Sequence, residues 1–220
     1  MTRIAIIGAG NVGGALYRSL KNDVGDDALV VCDTHDALLV YDEVQTGLGM
    51  TGEWWAYQHH GVQPDILCFG KKMQLCGIFA SKRLDEVHDN VFHKPGRINS
   101  TWGGNLVDMV RATRILEIMV DEGLVANARA RGAELLKGLE AIEQRHPIVT
   151  NARGAGLMCA LDLPDTARRN AVIKSCFEAG MIVLACGSRS VRFRPTLTVD
   201  AEIIAEGVRR LEAAIVAVGG

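Results

Sequence analysis

The sequence predicts an α/β fold in which a parallel sheet with covering helices is followed by a smaller α/β domain. Three observations predict it. Short, fully apolar runs at Ile4–Ile7, Ala37–Tyr41 and Ile66–Phe69 suit parallel strands covered on both faces. Helical apolar spacing extends from Leu106 to His146. Beyond it, short strand-like runs alternate with helical ones. The composition permits a sizeable core, because 48% of the 220 residues are hydrophobic and 23% charged, the balance of a folded chain rather than a disordered one.

In chain order, Ile4–Ile7 reads as a strand stopped by Gly8, Asn11–Leu20 as a helix and Ala28–Cys32 as a second strand. Ala37–Tyr41 and Ile66–Phe69 follow as strands. The Asp121-Glu122-Gly123 interruption splits the long periodic stretch into two helices, and Pro147 stops the second. Ile148–Val149, Leu157–Leu163, Met181–Ala185 and Val191–Phe193 then read as strands, with helices at Ala167–Ala179 and Asp200–Val216. Three parts are expected: 1–33, 34–115 and 116–220.

Charge and cysteine usage exclude several functions. Lys plus Arg number 24 and Asp plus Glu 26, a net charge of −2 that gives no general attraction to nucleic acid or to an anionic membrane. No apolar run approaches the roughly 18 residues that span a bilayer. Six scattered cysteines without a C-x-x-C pair read as reduced thiols of a cytoplasmic protein. No metal site is expected, since His59 and His60 are adjacent and lack the spacing of a helical ligand pair.

Two signals carry chemistry. Gly8, Gly10 and Gly13 fit G-x-G-x-x-G between a strand and a helix, with Asp33 20 residues after Gly13, where a dinucleotide fold keeps its ribose-binding acid. This opening resembles the first βαβ unit of NAD(P)-dependent oxidoreductases. The same glycines also serve a plain turn, with Asp33 a solvated acid. Further on, Leu38–Asp42 ends an apolar run in Asp42-Glu43. Adjacent acids on an extended chain point to opposite faces, so one faces a site and the other serves elsewhere. Pro64–Phe69 ends in Gly70-Lys71-Lys72, read as the end of a strand on which the two lysines face opposite ways. A Lys-Lys pair alone is commonly a solvated turn. A lysine and an acid at successive strand ends, however, are what pyridoxal phosphate requires: an amine for its aldehyde and an anion for its ring nitrogen.

Asp-Glu-Val-Gln-Thr-Gly (42–47), Phe-Gly-Lys-Lys (69–72), Asn-Ser-Thr-Trp-Gly-Gly-Asn (99–105) and Val-Arg-Phe-Arg-Pro (191–195) occur in one order. On these segments, residues 34–220 resemble the C-terminal part of the class III, ω-amino aminotransferases, and the wording of the second and third is most similar to members acting on the ε-amine of lysine. The resemblance implies a partial fold-type I pyridoxal-phosphate transferase, with 34–115 the remainder of the cofactor-binding large domain and 116–220 the small domain. It implies Lys71 as the lysine that holds the cofactor, Asp42 as the partner of its ring nitrogen and Gln45 near its ring hydroxyl. Thr101 would reach the phosphate of the neighbouring subunit in a homodimer, and Arg192 would grip a substrate carboxylate, with Arg194 a second choice. A small amino donor and 2-oxoglutarate are the implied substrates. The family's phosphate loop and ring-stacking aromatic have no counterpart in 34–220, and residues 1–33 look foreign to it. Activity below that of a complete member is therefore expected. The competing expectations are an NAD(P)-binding module and a noncatalytic aminotransferase fragment.

Overall fold

The computed structural model describes residues 4–8, 37–90, 92–93 and 104–219, the first of these as backbone only. The expected helix at Asn11–Leu20 and strand at Ala28–Cys32 lie outside the described residues, as do Gly10, Gly13, Asp33 and Thr101. The chain divides into two compact units, one of Met1–Leu48 with Trp55–Asp121, the other of Gly49–Trp54 with Glu122–Gly220. The division thus falls at Asp121, the end of a helix, and a short excursion at 49–54 belongs with the second unit.

The first unit is built on a four-stranded sheet in the order β1 (Ile4–Gly8), β2 (Leu38–Asp42), β3 (Ile66–Phe69), β4 (Gly77–Ala80). β2 is central and parallel to both β1 and β3, with Asp42 opposite Gly8 on one side and Cys68 on the other. Leu38, Leu39, Val40 and Tyr41 are all buried, as a parallel strand covered on both faces requires. β4 returns antiparallel to β3 and departs from the wholly parallel sheet expected. Its four residues show no alternation, and its pairing comes from the tight turn that precedes it. Trp55, Phe69 and Phe79 pack their rings together with centroids 4.7–6.3 Å apart, which makes Trp55 a packing residue. Helix α1 (Leu106–Asp121) closes this unit.

The second unit is an antiparallel sheet, β5 (Thr150–Ala155), β6 (Met158–Asp162), β8 (Ser190–Phe193), β7 (Leu184–Cys186) in that spatial order, packed with α2 (Leu124–Arg145), α3 (Thr166–Glu178) and α4 (Ala201–Ala217). Gly123 at φ 62° makes the left-handed turn into α2. Asp165 and Asp200 cap α3 and α4, accepting the backbone N–H groups of Arg168 and Ile203 at 2.8 Å. The core is apolar: Leu139, Ile142, Leu161, Val172, Val191 and Leu211 are completely buried. Two strands begin later than their apolar content suggested. Ile148 and Val149 form a turn before β5, and β7 starts at Leu184 rather than Met181. β5 is a polar edge strand, and burial alone does not distinguish such a strand from a loop.

Candidate active site

In open α/β sheets ligands gather beyond the carboxyl ends of parallel strands, and this is where the first unit carries its polar residues. β2 ends in Asp42, exposed at the edge. One of its oxygens accepts the Val44 N–H at 3.1 Å, and the other has no partner among the described residues. Glu43 turns the opposite way and is buried. It accepts the Thr46 hydroxyl at 2.5 Å and the Tyr57 N–H at 2.8 Å, so it holds the turn that follows β2. The two neighbouring acids therefore divide as the pleat predicts: one solvent-facing anion and one structural carboxylate.

Beside Asp42 the ladder's last rung is the Glu43 N–H on the Cys68 carbonyl, 2.9 Å. Burial first, and the Asp42 charge second, push the Cys68 thiol up from its ordinary value, which disfavours its thiolate. β3 then stops at Phe69, and Lys71–Met73 form a single 3-10 turn rather than the extended strand end expected. Lys71 has φ 52° and is exposed, and its amine has neither hydrogen bond nor ion pair among the described residues. The Lys72 amine points elsewhere and donates to the Gln45 carbonyl at 2.7 Å. The lysines thus diverge because of a tight turn, not because of strand alternation.

The structure accordingly brings Asp42, Gln45 and Lys71 to one edge of one sheet, and Gly8 closes the neighbouring β1 opposite Asp42. Gly10, Gly13, Asp33 and Thr101 lie outside the described residues. Arg192 belongs to the second unit. On β8 Val191 and Phe193 enter the core, so Arg192 stands on the sheet's other face, half-buried. Its Nε is shielded from water with no hydrogen-bond partner among the described residues, an uncompensated donor of the kind that a ligand carboxylate satisfies. Arg194 lies just beyond the strand. Lys72 is the residue that sequence reading missed: its link to Gln45 spans 27 positions, and no local pattern announces such a contact.

A family model described as Aminotransferase class-III matches residues 20–215, a span that takes in Asp33. The L-lysine-epsilon aminotransferase of Amycolatopsis lactamdurans is 51% identical over 191 residues, covering 86% of this chain and 42% of its own length. That of Mycobacterium tuberculosis is 50% identical over 186 residues, covering 84% and 41%. Among solved structures, the lysine aminotransferase from M. tuberculosis superposes with a TM-score of 0.80 at 46% identity, covering 93% of this chain and 45% of the other. The chain spans about two fifths of the length of the curated relatives it matches.

Proposed function

The chain belongs to the class-III aminotransferase family, and on that premise we propose that it is a pyridoxal-phosphate-dependent aminotransferase that moves a terminal amino group, the ε-amine of L-lysine, to 2-oxoglutarate. The named activity of the relatives at 50–51% identity supports the choice of donor. The observation that carries the reading is the placement of an exposed carboxylate, Asp42, at the end of β2 and of an amine without a partner among the described residues, Lys71, just past the end of the neighbouring β3.

This donor set fits the cofactor: an amine for its aldehyde, an anion for its ring nitrogen and the Gln45 amide for its ring hydroxyl. When bound, pyridoxal phosphate supplies a ring that spreads negative charge away from a carbon losing its proton. Asp42, exposed at the end of β2, would face the ring nitrogen and hold its proton there. Lys71 Nζ would hold the cofactor through its aldehyde, and the same amine is the group of this chain that would take up and return a proton beside it. Arg192, whose Nε is shielded from water and has no partner among the described residues, would orient a substrate carboxylate through its planar fork. Thr101 serves the cofactor phosphate of a partner subunit in a homodimer. Cytoplasmic location is supported by the unpaired thiols of Cys68, Cys76, Cys159, Cys176 and Cys186. Among the described residues no helix is long and apolar enough to cross a membrane.

Reductive trapping tests the assignment. After incubation with pyridoxal phosphate and borohydride, peptide mapping should place the pyridoxyl group on Lys71. A label on Lys72, or scattered over surface lysines, overturns it. Glutamate formation from 2-oxoglutarate that depends on L-lysine, and is lost in Lys71→Ala, is the activity expected.

A further inference from the structure

We propose that Lys72 is the positioning residue of this site, a cationic tether that sets the Asp42–Gln45 turn against the Lys71 turn. The inference rests on the reading of Lys71 and Asp42 given above. The two turns leave the sheet at the same edge, and the strand ladder stops guiding them after the Glu43 N–H reaches the Cys68 carbonyl. Beyond that rung each turn has hydrogen bonds of its own. Glu43 braces the first through Thr46 and Tyr57, and the Gln74 N–H closes the second on the Lys71 carbonyl at 2.9 Å. Neither set of bonds reaches across.

Lys72 does reach across. Its ammonium lies 2.7 Å from the Gln45 carbonyl oxygen in a partly buried position, where a charged donor on a neutral acceptor is stronger than an ordinary hydrogen bond. The acceptor is backbone, so the bond acts on the chain path that carries the Gln45 side chain and, three residues earlier, Asp42. The donor is joined directly to Lys71, whose left-handed backbone is uncommon for a residue with a side chain and persists only where its surroundings hold it. One amine is therefore immobilised, while its neighbour is presented without a partner among the described residues. This division of labour also explains why two adjacent lysines of equal intrinsic chemistry are not equivalent. A reacting pair misplaced by about 1 Å loses on the order of 100-fold in rate, so the tether acts on rate more than on affinity.

Two measurements test this on the intact chain. The first needs no cofactor: under limiting acetic anhydride, with peptide mapping, Lys72 should acetylate about fivefold or more slowly than Lys71, because its nitrogen is engaged as a donor. Equal rates overturn the tether. The second follows pyridoxyl labelling of Lys71 by borohydride quench across time and pyridoxal phosphate concentration. Lys72→Met should lower the saturated rate about tenfold while the half-saturating concentration changes less than about twofold. Lys72→Arg, long enough to donate to the same carbonyl, should recover at least half of the parent rate. An unchanged rate in Lys72→Met, failure of Lys72→Arg to rescue, or a rate loss that only tracks a lowered melting midpoint overturns the proposal. If the parent chain takes no label on Lys71, the assignment of Lys71 fails instead, and the acetylation contrast still decides whether Lys72 is held.

Discussion

At the scale of single residues the site depends on how one edge treats two neighbouring acids. Asp42 and Glu43 have the same charge in the sequence, yet only Glu43 is buried, with both oxygens occupied by the protein. Asp42→Asn keeps size and still offers an oxygen to the Val44 N–H. It should therefore leave the melting midpoint within about 2 °C of the parent while amino transfer falls by about 100-fold or more. Equal turnover at equal stability removes Asp42 from the chemistry. Its loss also takes away one of the two causes that hold the Cys68 thiol up, so Cys68 in this variant should react faster with a maleimide at alkaline pH than in the parent.

At the scale of elements the second unit turns on two contacts between pieces distant in sequence. Gly132 sits inside α2, where alanine is the better helix former by up to about 1 kcal/mol. A Cβ there would lie 2.1 Å from the Gly156 carbonyl carbon and oxygen. Backbone does not move aside as a side chain does, and overpacking costs about 1–3 kcal/mol or more. Gly132→Ala should therefore lower the melting midpoint by about 5 °C, against the direction that helix propensity alone predicts. The other contact is Asp162, buried at the end of β6. Burial raises its pKa, but bonds from Ser190 at 2.6 Å, Asn151 at 3.0 Å and Arg153 at 3.0 Å outweigh burial and hold it below the ordinary aspartate value. A carboxyl held low takes up its proton less readily when folded than when unfolded. Its contribution is thus complete above the ordinary aspartate pKa and lost as pH falls through the folded value. Urea midpoints measured from about pH 6 to about pH 3 should fall further for the parent than for Asp162→Asn, which has no such proton to gain.

At the scale of the whole molecule, α1 presents Leu106, Val107 and Val110 to solvent at 76%, 68% and 71% exposure, large apolar side chains along one side of its first turns. Such a stripe on a helix that begins at the Thr101 segment favours self-association, because burying it removes apolar area from water. Sedimentation should show a dimer at micromolar concentration, and Val110→Asp should weaken it by about tenfold or more. A monomer in the parent counts against both the interface and the role given to Thr101.

Much of this was legible in the amino-acid order. β2 and β3 announce themselves as apolar runs, α1 and α2 as one periodic stretch broken at Gly123, and α3 and α4 as helical runs alternating with short strands. Each of these signals is local, since helix spacing, capping and strand hydrophobicity depend on residues a few positions apart. Asp42, Lys71 and Arg192 were singled out by short motifs in a fixed order, and the fold sets Asp42 and Lys71 at the ends of two adjacent strands. What the order of residues left open was settled by contacts between distant positions. β4 exists because a 3-10 turn returns the chain beside β3. β5 was placed at 150–155 by pairing with β6 rather than by its own polar composition. Lys72 parted from Lys71 through a carbonyl 27 residues away. A hydrogen bond across that separation leaves no periodic trace, so the sequence determined which chemical groups are present, while the tertiary structure alone decided which of two adjacent lysines bonds a distant carbonyl and which has no partner among the described residues.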